Sequence, residues 1–350
     1  MMKRVAVSYK NNFKKGSVFS ISLLAILLTF FSCSNSGNDA GQNFIVSDLD
    51  GSTKTYPVNS YVSLKGEPLG YSDSIGVPGD LIIYKEYLLA LNLRGDVPFG
   101  IFNLSHAKDI ILWKNKGFGP GEIMVPFALS VIDDLLSVYD AQQVKINLFD
   151  LDSLIEKGEE YLPEQIKTQF KAGRYILFNK DELIGLTFFG NKRFTSLSRS
   201  GELKQFGITP ELSGLNIEPK VANQVLKGHL AISHLKERLI VGNSYTDRVN
   251  IYNFNGELEL SIQGPDFYDP IYSVTDMQGF KTIGERESTR NAASDVFAGS
   301  KGFYLLYSGR TNAQGNSSSN HGQFVYHFSY DGSLLKSFKL DRQILQIAVD

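Results

Sequence analysis

The segment KNKGFGPGEI, residues 114 to 123, has the composition of a loop that could wrap a phosphate group. Glycine-rich loops bind phosphate through backbone amides when the glycines follow GxxxxGK[ST] or GxGxxG and lead into a helix. Here the spacing is GxGxG with Pro120 inside, and no lysine followed by serine or threonine comes next. The spacing therefore excludes both phosphate motifs and predicts a structured turn, in which Pro120 fixes φ and Gly121 takes a positive φ.

The acid at the end of this turn leaves two roles open. The carboxylate of Glu122 could accept hydrogen bonds from amides of the turn, or it could face a ligand near the centre of the fold. We favour the structural role for the whole motif. Its residues are Gly117, Gly119, Pro120, Gly121 and Glu122.

The histidines and acids show no metal-binding pattern. No HExxH motif or other close ligand spacing occurs, so each histidine is predicted to be structural or solvent-facing. The histidines are His106, His229, His234, His321 and His327. The acidic turns at residues 48–51 and 150–152 lack the glycine and the glutamate of an EF-hand loop. The sequence predicts no metal and no other cofactor.

Covalent and acid–base catalysis also lack a local signal. There is no GxSxG elbow, and the chain has a single cysteine, Cys33. The adjacent acids Asp133 and Asp134 would point to opposite faces of a strand and could not form a dyad. The sequence therefore predicts no catalytic residues, although an enzyme site could still draw single residues from distant segments.

One long loop has the residue types of a recognition surface. GPDFYDPIYSVTD, residues 264 to 276, places aromatic rings among acids, and GERESTR follows with two arginines four residues apart. Tyrosines on a loop can stack on sugars or anchor a protein partner. The candidate binding residues are Phe267, Tyr268, Tyr272, Arg286 and Arg290.

The first 32 residues have the order of a secretory signal. Five basic residues and no acids precede the apolar run Val18 to Phe31, whose helix would be about 21 Å long and too short to cross a bilayer. Charge, apolar run and small residue predict a signal peptide. Cys33 follows Ser32 as in the lipobox of bacterial lipoproteins, so we predict that Cys33 is lipidated. A cleaved, soluble exported protein is the alternative.

Processing would change the charge of the chain. Removal of residues 1–32 leaves 30 basic and 37 acidic residues, a net charge of −7. This balance argues against a nucleic-acid surface, which needs clustered Lys and Arg. Residues 33–42 are polar and are predicted to form a flexible tether. Ser34 after the cysteine resembles lipoproteins released to the outer membrane, facing the periplasm or the cell surface.

Alternating apolar and polar residues punctuated by glycine recur along the rest of the chain. The clearest run, VNIYNFNGELELSI at residues 249 to 262, turns at Asn255-Gly256, where a type I′ hairpin turn would need two residues at positive φ. Similar runs begin near residues 44, 99, 144, 194 and 324. The run at 144 turns near Asp150 to Ser153, and most spacings are about 45 to 55 residues.

A further strand pair often precedes each hairpin, as RYILFN and DELIGLTFF precede the run at 194. Four-stranded units that repeat every 40 to 50 residues are typical of a β-propeller. A β-sandwich would explain the hairpins but not the four-strand period. We therefore predict an all-β propeller that forms one domain over residues 43–350.

The segment Gly117 to Glu122, directly after an early hairpin, resembles the GxGPGE signature of TolB-like six-bladed propeller lipoproteins of Bacteroidetes. The lipobox-like Cys33, the hairpin punctuation and Leu340-Asp341-Arg342 near the end are similar too. The resemblance covers roughly residues 40 to 350 and implies a six-bladed fold in the cell envelope. It implies no established chemistry and transfers no catalytic residue.

The end of the sequence departs from this family. Relatives usually continue past the LDR segment into a final strand pair, whereas here ILQIAVD, ending at Asp350, has the pattern of an inner strand. We predict five complete blades and an incomplete sixth assembled from both termini, with residues 43 to 63 as its N-terminal part. A truncated gene product is the alternative.

These observations favour a binding protein anchored to the envelope by lipid. Its partner would be an envelope protein, or a glycan or peptide, held at one mouth of the ring. The competing hypothesis is a lyase or hydrolase, whose central channel would collect histidines or acids from several blades. A truncated, non-functional paralogue is the third.

Overall fold

The structure is a computed structural model that describes residues 4–5, 41–69, 74–105, 110–169, 172–211, 217, 219–277, 280–315 and 318–349. Cys33 and most of the predicted signal peptide and tether lie outside these residues. Four short strands come first in the chain. They are β1 (Arg4–Val5), β2 (Asn43–Asp48), β3 (Thr53–Pro57) and β4 (Val62–Leu64).

The next two sheets are four-stranded, with strands in sequence order from the centre outwards. Blade 1 contains β5 (Pro78–Tyr84), β6 (Tyr87–Asn92), β7 (Phe99–Asn103) and β8 (Ile110–Trp113). Blade 2 contains β9 (Pro126–Ile132), β10 (Leu135–Asp140), β11 (Lys145–Asp150) and β12 (Glu164–Lys167), with helix α1 (Leu151–Lys157) and a 3-10 turn (Gly158–Glu160) before β12.

Blades 3 and 4 repeat this order. Blade 3 contains β13 (Ile176–Leu177), β14 (Glu182–Leu186), β15 (Lys192–Ser198) and β16 (Leu203–Ile208). Helix α2 (Pro219–Val225) leads to blade 4, which contains β17 (Gly228–Ser233), β18 (Arg238–Asn243), β19 (Arg248–Asn253) and β20 (Leu258–Gln263). A separate hairpin of β21 (Ser273–Met277) and β22 (Phe280–Gly284) follows blade 4.

Blade 5 ends the regular series. It contains β23 (Arg290–Gly299), β24 (Gly302–Thr311), β25 (Gly322–Phe328) and β26 (Leu334–Ile344), with helix α3 (Asn312–Gly315) after β24. Strand β27 (Ala348–Val349) contacts both β23 and β5, so it lies between the first strands of blades 5 and 1. The predicted all-β propeller and its five complete blades are therefore confirmed.

Four hairpins share one turn chemistry, and it differs in one respect from the prediction. At Gly51, Gly201, Gly256 and Gly332 the glycine has φ between +78° and +87°, while the residue before it does not have positive φ. Each glycine N–H donates to the carbonyl three residues earlier, as in Gly256 N to Asn253 O at 3.0 Å. This is a type I turn followed by a left-handed glycine. The prediction of a type I′ turn is wrong, since this turn needs positive φ at the glycine alone.

The run at residue 144 does not form a tight hairpin. Asp150 caps helix α1, because its carboxylate accepts a hydrogen bond from Ser153 N at 2.8 Å, and the return strand β12 begins at Glu164. The motif Asp-Leu-Asp-Ser, residues 150–153, therefore begins a helix, with Asp150 as its N-cap. A helix N-cap and a tight turn favour the same residue types, so the sequence pattern did not separate them. Helix α1 packs Leu151 and Leu154 into the core between blades 1 and 2.

Strands β2, β3 and β4 do not complete a last blade, so the prediction for residues 43 to 63 is wrong. Strand β2 pairs antiparallel with β20, which extends blade 4 to six strands, and β4 pairs in parallel with β26 of blade 5. Phe44 packs edge-on against Tyr326 and Phe328 at 4.7 and 5.0 Å between ring centres. The free edge of β20 and this aromatic contact hold the N-terminal strands on blades 4 and 5. Strand β27 pairs instead with β1.

The core lies in layers between neighbouring blades. Leu89 and Phe149 pack between blades 1 and 2, Leu148 and Leu183 between blades 2 and 3, and Phe194 between blades 3 and 4. Each such side chain contributes about 1.5–3 kcal/mol of burial free energy only when the next blade is present. Packing between neighbouring blades closes the ring, and the first strand of each blade then lies along a common central channel.

Candidate functional site

The motif turn connects blade 1 to blade 2 and folds onto itself. Glu122 Oε2 accepts a hydrogen bond from Gly119 N at 2.7 Å, and Glu122 N donates to Gly119 O at 3.2 Å. A Cβ on Gly117 would lie 2.1 Å from Glu122 Oε2, and Gly121 has φ of +74°, so both positions require glycine. The carboxylate of Glu122 therefore closes its own turn.

A buried acid supports the motif turn from blade 2. Asp140 is fully buried and accepts hydrogen bonds from Met124 N at 2.7 Å and Gln143 N at 3.1 Å. The Gln143 side chain in turn donates to Gly117 O and to Asp140 Oδ2, both at 2.8 Å. The role of this segment is to fix the path of the chain between two blades.

The insertion between blades 4 and 5, together with the first residue of β23, carries the five candidate binding residues, and the side chains of two of them make structural contacts. Asp247 accepts hydrogen bonds from Asp266 N at 3.1 Å and from Phe267 N. Tyr268 packs against the core between blades 4 and 5. The Arg290 guanidinium lies 5.2 Å from the centre of the Tyr268 ring and 3.5 Å from Asp266 Oδ2. Tyr268 and Arg290 therefore anchor the insertion.

The other three candidates are more accessible. Phe267 is 41% exposed, Arg286 is exposed and Tyr272 is half-buried. Thr289 Oγ1 donates to Ile271 O at 2.6 Å and accepts from Arg286 N at 2.8 Å, which closes the base of the insertion. The candidates thus divide into anchors and solvent-facing side chains.

The insertion is also attached to the top of blade 4. The Gln224 side chain on α2 donates to Lys281 O at 3.0 Å and accepts from Ile283 N at 3.2 Å. Glu285, directly after β22, accepts hydrogen bonds from Tyr245 Oη and from Asn312 Nδ2, and its carboxylate lies 3.3 Å from Lys227 Nζ. The base of the insertion therefore borders the mouth of the central channel.

A cavity of about 870 Å³ lies in this channel and is lined by the first strand of every blade. Six of the polar side chains along its wall come from blades 1, 3, 4 and 5 and from the segment before β27. We name them the channel belt: Asp80, Arg174, His229, Ser294, Asp295 and Gln346. Sequence reasoning did not select any of them as functional.

The channel belt begins with an ion pair between blades. Arg174 Nη2 donates to Asp80 Oδ1, and Asp80 Oδ2 also accepts from Leu129 N at 2.9 Å. The Arg174 guanidinium lies 5.9 Å from the centre of the Phe127 ring, and its Nη1 lies 3.4 Å from His229 Nδ1. One guanidinium thus connects blade 3 to blades 1, 2 and 4.

Asp295 connects the belt to the end of the chain. Its Oδ2 accepts from Ile347 N at 3.0 Å and its Oδ1 from Val296 N at 2.9 Å. The Gln346 amide, oriented so that donor meets acceptor, reaches Asp295 Oδ2 at 2.7 Å. His229 Nδ1 lies 3.7 Å from Asp295 Oδ1. Asp295 therefore holds the segment that forms one side of the cavity.

Burial shifts the pKa values of two belt residues in opposite directions. Burial, with a smaller effect from the charge of Asp80, raises the pKa of Asp295 to about 7, although the amides of Ile347 and Val296 oppose this shift. Burial, reinforced by the nearby cations Arg174 and Lys227, lowers the pKa of His229 to about 3. At neutral pH the imidazole is uncharged, and Asp295 is close to its midpoint.

The structure also bears on metal binding and on the membrane. Within the described residues, no three His, Cys, Asp or Glu side chains are arranged to hold a metal ion. A search of the same residues for a helix long and apolar enough to span a bilayer finds none.

Together, the blades and the channel belt define a β-propeller with a polar site in its central channel. A sequence model of the family described as TolB-like 6-blade propeller-like matches residues 70–350. The chain therefore belongs to this family, as its GxGPGE segment indicated. Five blades are complete in the described residues, and β27 stands where a sixth blade would place its first strand.

Solved structures with a similar fold include a DUF4221 family member from Bacteroides vulgatus, with 10% identity and a TM-score of 0.51 over 85% of this chain and 84% of that one. A chain from a nidogen/laminin complex has 8% identity and a TM-score of 0.45, over 88% of this chain and 98% of that one. Streptogramin B lyase has 11% identity and a TM-score of 0.42, over 86% and 77%. Such identities show the fold alone. A comparison with curated protein sequences gave no match.

Proposed function

We propose that this protein is a binding protein that holds a small ligand, a glycan or a short peptide, at the channel belt. The observation that carries the proposal is the convergence of polar side chains from four blades on a cavity of about 870 Å³. This volume is in the range of sites that enclose a drug-sized molecule. The walls combine aliphatic residues with a few polar groups, as such sites commonly do.

Two belt atoms support a ligand site because they have no partner. The Ser294 hydroxyl is buried and has no hydrogen-bond partner in the described part of the chain. His229 lines the cavity and uses Nδ1 towards Arg174, while its Nε2 has no hydrogen bond to any described residue. Buried polar groups are normally paired, so free ones at a cavity wall suit a bound molecule or ordered water.

The test is native mass spectrometry of the full chain purified from its own membrane in mild detergent. Wild type is compared with His229→Gln, and with His327→Gln as a matched control on β25 outside the cavity. We expect a bound small molecule on wild type and on the control, and its loss from His229→Gln. Equal retention by all three proteins, or no bound molecule on wild type, would argue against the proposal.

The second candidate is a propeller hydrolase or lyase with the same site. It is favoured by the meeting of two carboxylates and an imidazole from three blades, Asp80, Asp295 and His229, whose environments move the pKa values of Asp295 and His229 apart. Incubation of wild type with the molecule found by native mass spectrometry would decide. Turnover that is lost in Asp295→Asn supports the enzyme, whereas an unchanged molecule supports binding alone.

The anchor is proposed on the sequence alone. Cys33 after an apolar run and Ser32 suits lipidation and attachment to the outer membrane. Growth with radiolabelled palmitate, followed by detergent phase separation, tests it. Label and detergent-phase partition are expected for wild type and not for Cys33→Ser. An unlabelled wild type would contradict the anchor but not the channel site.

A protein partner at the insertion is the other form of the binding hypothesis. Phe267, Tyr272 and Arg286 would carry it, since Phe267 and Arg286 are exposed and Tyr272 is half-buried on the same insertion. Cross-linking in intact cells, followed by a comparison of wild type with the Tyr272→Ala, Arg286→Ala double variant, tests this surface. A specific cross-link that survives in the double variant would exclude it.

A further inference from the structure

The two cations at the channel already have partners within the protein. The cation of Arg174 is paired with Asp80, and the cation of Lys227 at the mouth lies 3.3 Å from Glu285. An anionic ligand would have to compete with these carboxylates, and a cationic ligand would meet only Asp295, which is close to its midpoint at neutral pH. The belt therefore suits a ligand that is uncharged where it meets these groups.

The neighbours of His229 determine which of its nitrogens carries the proton. Arginine has no acceptor atom, so at the 3.4 Å contact His229 Nδ1 must accept from Arg174 Nη1. The proton of the neutral ring is then on Nε2. Nε2–H has no partner among the described residues, and the ring lines the cavity. The site thus offers one fixed hydrogen-bond donor, and Ser294, whose buried hydroxyl has no partner among the described residues, also lines the cavity.

The cavity wall beside the belt is largely aliphatic, with Ile82, Val131, Ile176 and Leu230 on four different blades. Among the described residues, four Phe and Tyr rings line the cavity, and each already has a packing partner: Phe127 and Tyr245 have a cation over them, Phe188 packs edge-on against Phe189, and Phe297 packs against the core of blade 5. The Arg174 guanidinium lies 5.9 Å from the Phe127 ring, and Lys227 Nζ lies 4.2 Å from the Tyr245 ring. Aliphatic walls bury branched aliphatic side chains well but give sugars no flat face.

We infer that the channel binds an uncharged peptide segment, with a backbone carbonyl accepting from His229 Nε2 and an aliphatic side chain packed on Ile176 and Leu230. This inference rests on the proposed function and narrows its ligand class from glycan or peptide to peptide. Arg174 is then a positioning residue, because it fixes the tautomer of His229 and is itself held by Asp80.

Isothermal titration with three defined probes tests the inference. The probes are N-acetyl-leucyl-leucinamide, its diaspartyl counterpart, and N,N′-diacetylchitobiose as a neutral disaccharide. We expect the leucyl probe to bind wild type and His327→Leu, at least about tenfold more weakly to His229→Leu, and several-fold more weakly to Ser294→Ala, since each change at the belt removes one hydrogen bond. Ser294→Ala removes a single atom, so it keeps the test valid if His229→Leu folds poorly.

The diaspartyl probe tests the charge argument. Asp80→Asn removes the partner of Arg174, so this variant should gain at least about tenfold affinity for the acidic probe relative to wild type. Binding of the acidic probe to wild type as tight as that of the leucyl probe would overturn the argument.

The remaining outcomes separate the inference from the proposed function. Disaccharide binding that needs His229, without peptide binding, would overturn the peptide inference and leave the channel site standing. Absence of binding for all probes at millimolar concentration would also overturn it. The proposed function would then still be decided by native mass spectrometry of the wild-type chain and His229→Gln.

Discussion

The motif turn and the channel belt are built in opposite ways. The motif turn takes six consecutive residues, and its acid closes the turn that contains it, with Glu122 Oε2 2.7 Å from Gly119 N. The channel belt takes residues more than 200 positions apart, from Asp80 to Gln346, and only Ser294 and Asp295 share a strand. The acid of the turn is used by the turn itself, whereas the belt leaves His229 Nε2 and the Ser294 hydroxyl without a partner among the described residues.

This difference separates stability from function in one molecule. A turn whose carboxylate is used internally fixes the path of the backbone, so its loss should lower stability. A belt that keeps free polar atoms at a cavity uses its residues for recognition, so its loss should change binding or titration more than folding. Substitutions in the turn, the belt and the insertion test that division.

Replacement of Asp140 should have the largest effect on folding. Asp140→Ala leaves the amides of Met124 and Gln143 buried without their acceptor, so the free energy of unfolding should fall by about 4 kcal/mol. Urea unfolding followed by circular dichroism measures it. Asp50→Ala, on an exposed hairpin, is the control and should change stability by less than about 0.5 kcal/mol. A loss under about 1 kcal/mol for Asp140→Ala would contradict the supporting role.

The opposite titrations of Asp295 and His229 should become visible when one of them is removed. In the fold Asp295 keeps its proton up to about pH 7, but the unfolded carboxyl releases it near pH 4, so its contribution to stability falls as the pH rises between these values. His229 stays neutral down to about pH 3 in the fold, but unfolded histidine is protonated below about pH 6.5, so its contribution falls as the pH decreases.

Between about pH 4 and 6.5 the two slopes oppose each other in wild type. Asp295→Asn should therefore lose stability relative to wild type as the pH is lowered, and His229→Gln should lose it as the pH is raised. Each slope approaches about 1.4 kcal/mol per pH unit. Unfolding in urea at half-unit pH steps, with wild type in the same buffers, measures both. Two flat difference curves would show that the belt does not titrate in this way.

Tyr268 should behave as a core residue of the insertion and not as a binding residue. Tyr268→Ala removes a ring packed against the core between blades 4 and 5, so it should lower the free energy of unfolding by about 2 kcal/mol. Tyr272→Ala, on the same loop, should change it by less than about 0.5 kcal/mol. Thermal unfolding of both variants provides the comparison. Equal stability of the two variants would place Tyr268 with the recognition residues.

Two glycines offer the smallest and most direct comparison between the turn and the channel. Gly121 has φ of +74°, so Gly121→Ala should lower stability by about 1 kcal/mol. Gly173 lines the cavity without positive φ, and an added Cβ would meet its nearest neighbour, Phe188, at 3.7 Å. Gly173→Ala should be neutral or raise stability by a few tenths of a kcal/mol. A larger loss of stability for Gly173→Ala than for Gly121→Ala, measured by denaturant midpoint, would contradict the assigned role of the positive φ at Gly121.

Local features of the fold could be predicted from sequence because the determining residues are adjacent. Asn255-Gly256 and its counterparts identified four hairpins, and GFGPGE indicated the family. The N-terminal strands were placed wrongly, since nothing within residues 43 to 63 shows that β2 would add to the edge of β20. Asp150 was read as a turn residue because an acid suits a turn and a helix N-cap equally well.

The channel belt could not be predicted for the same reason. His229 stands in an ordinary strand pattern, GHLAIS, and neither Asp80 nor Asp295 has a motif around it. Their proximity is created by the ring, which brings the first strands of separate blades together. One usable signal was present: each acid lies within a run that is otherwise largely apolar, and a buried carboxylate needs a partner.

The most direct test of the account is a crystal structure of the protein with N-acetyl-leucyl-leucinamide at saturating concentration. If the channel binds a peptide, we expect density for the probe in the central channel, with a carbonyl oxygen about 3 Å from His229 Nε2 and a leucine side chain against Ile176 and Leu230. Density at the insertion beside Tyr272 and Arg286, with the channel filled by water alone, would contradict it.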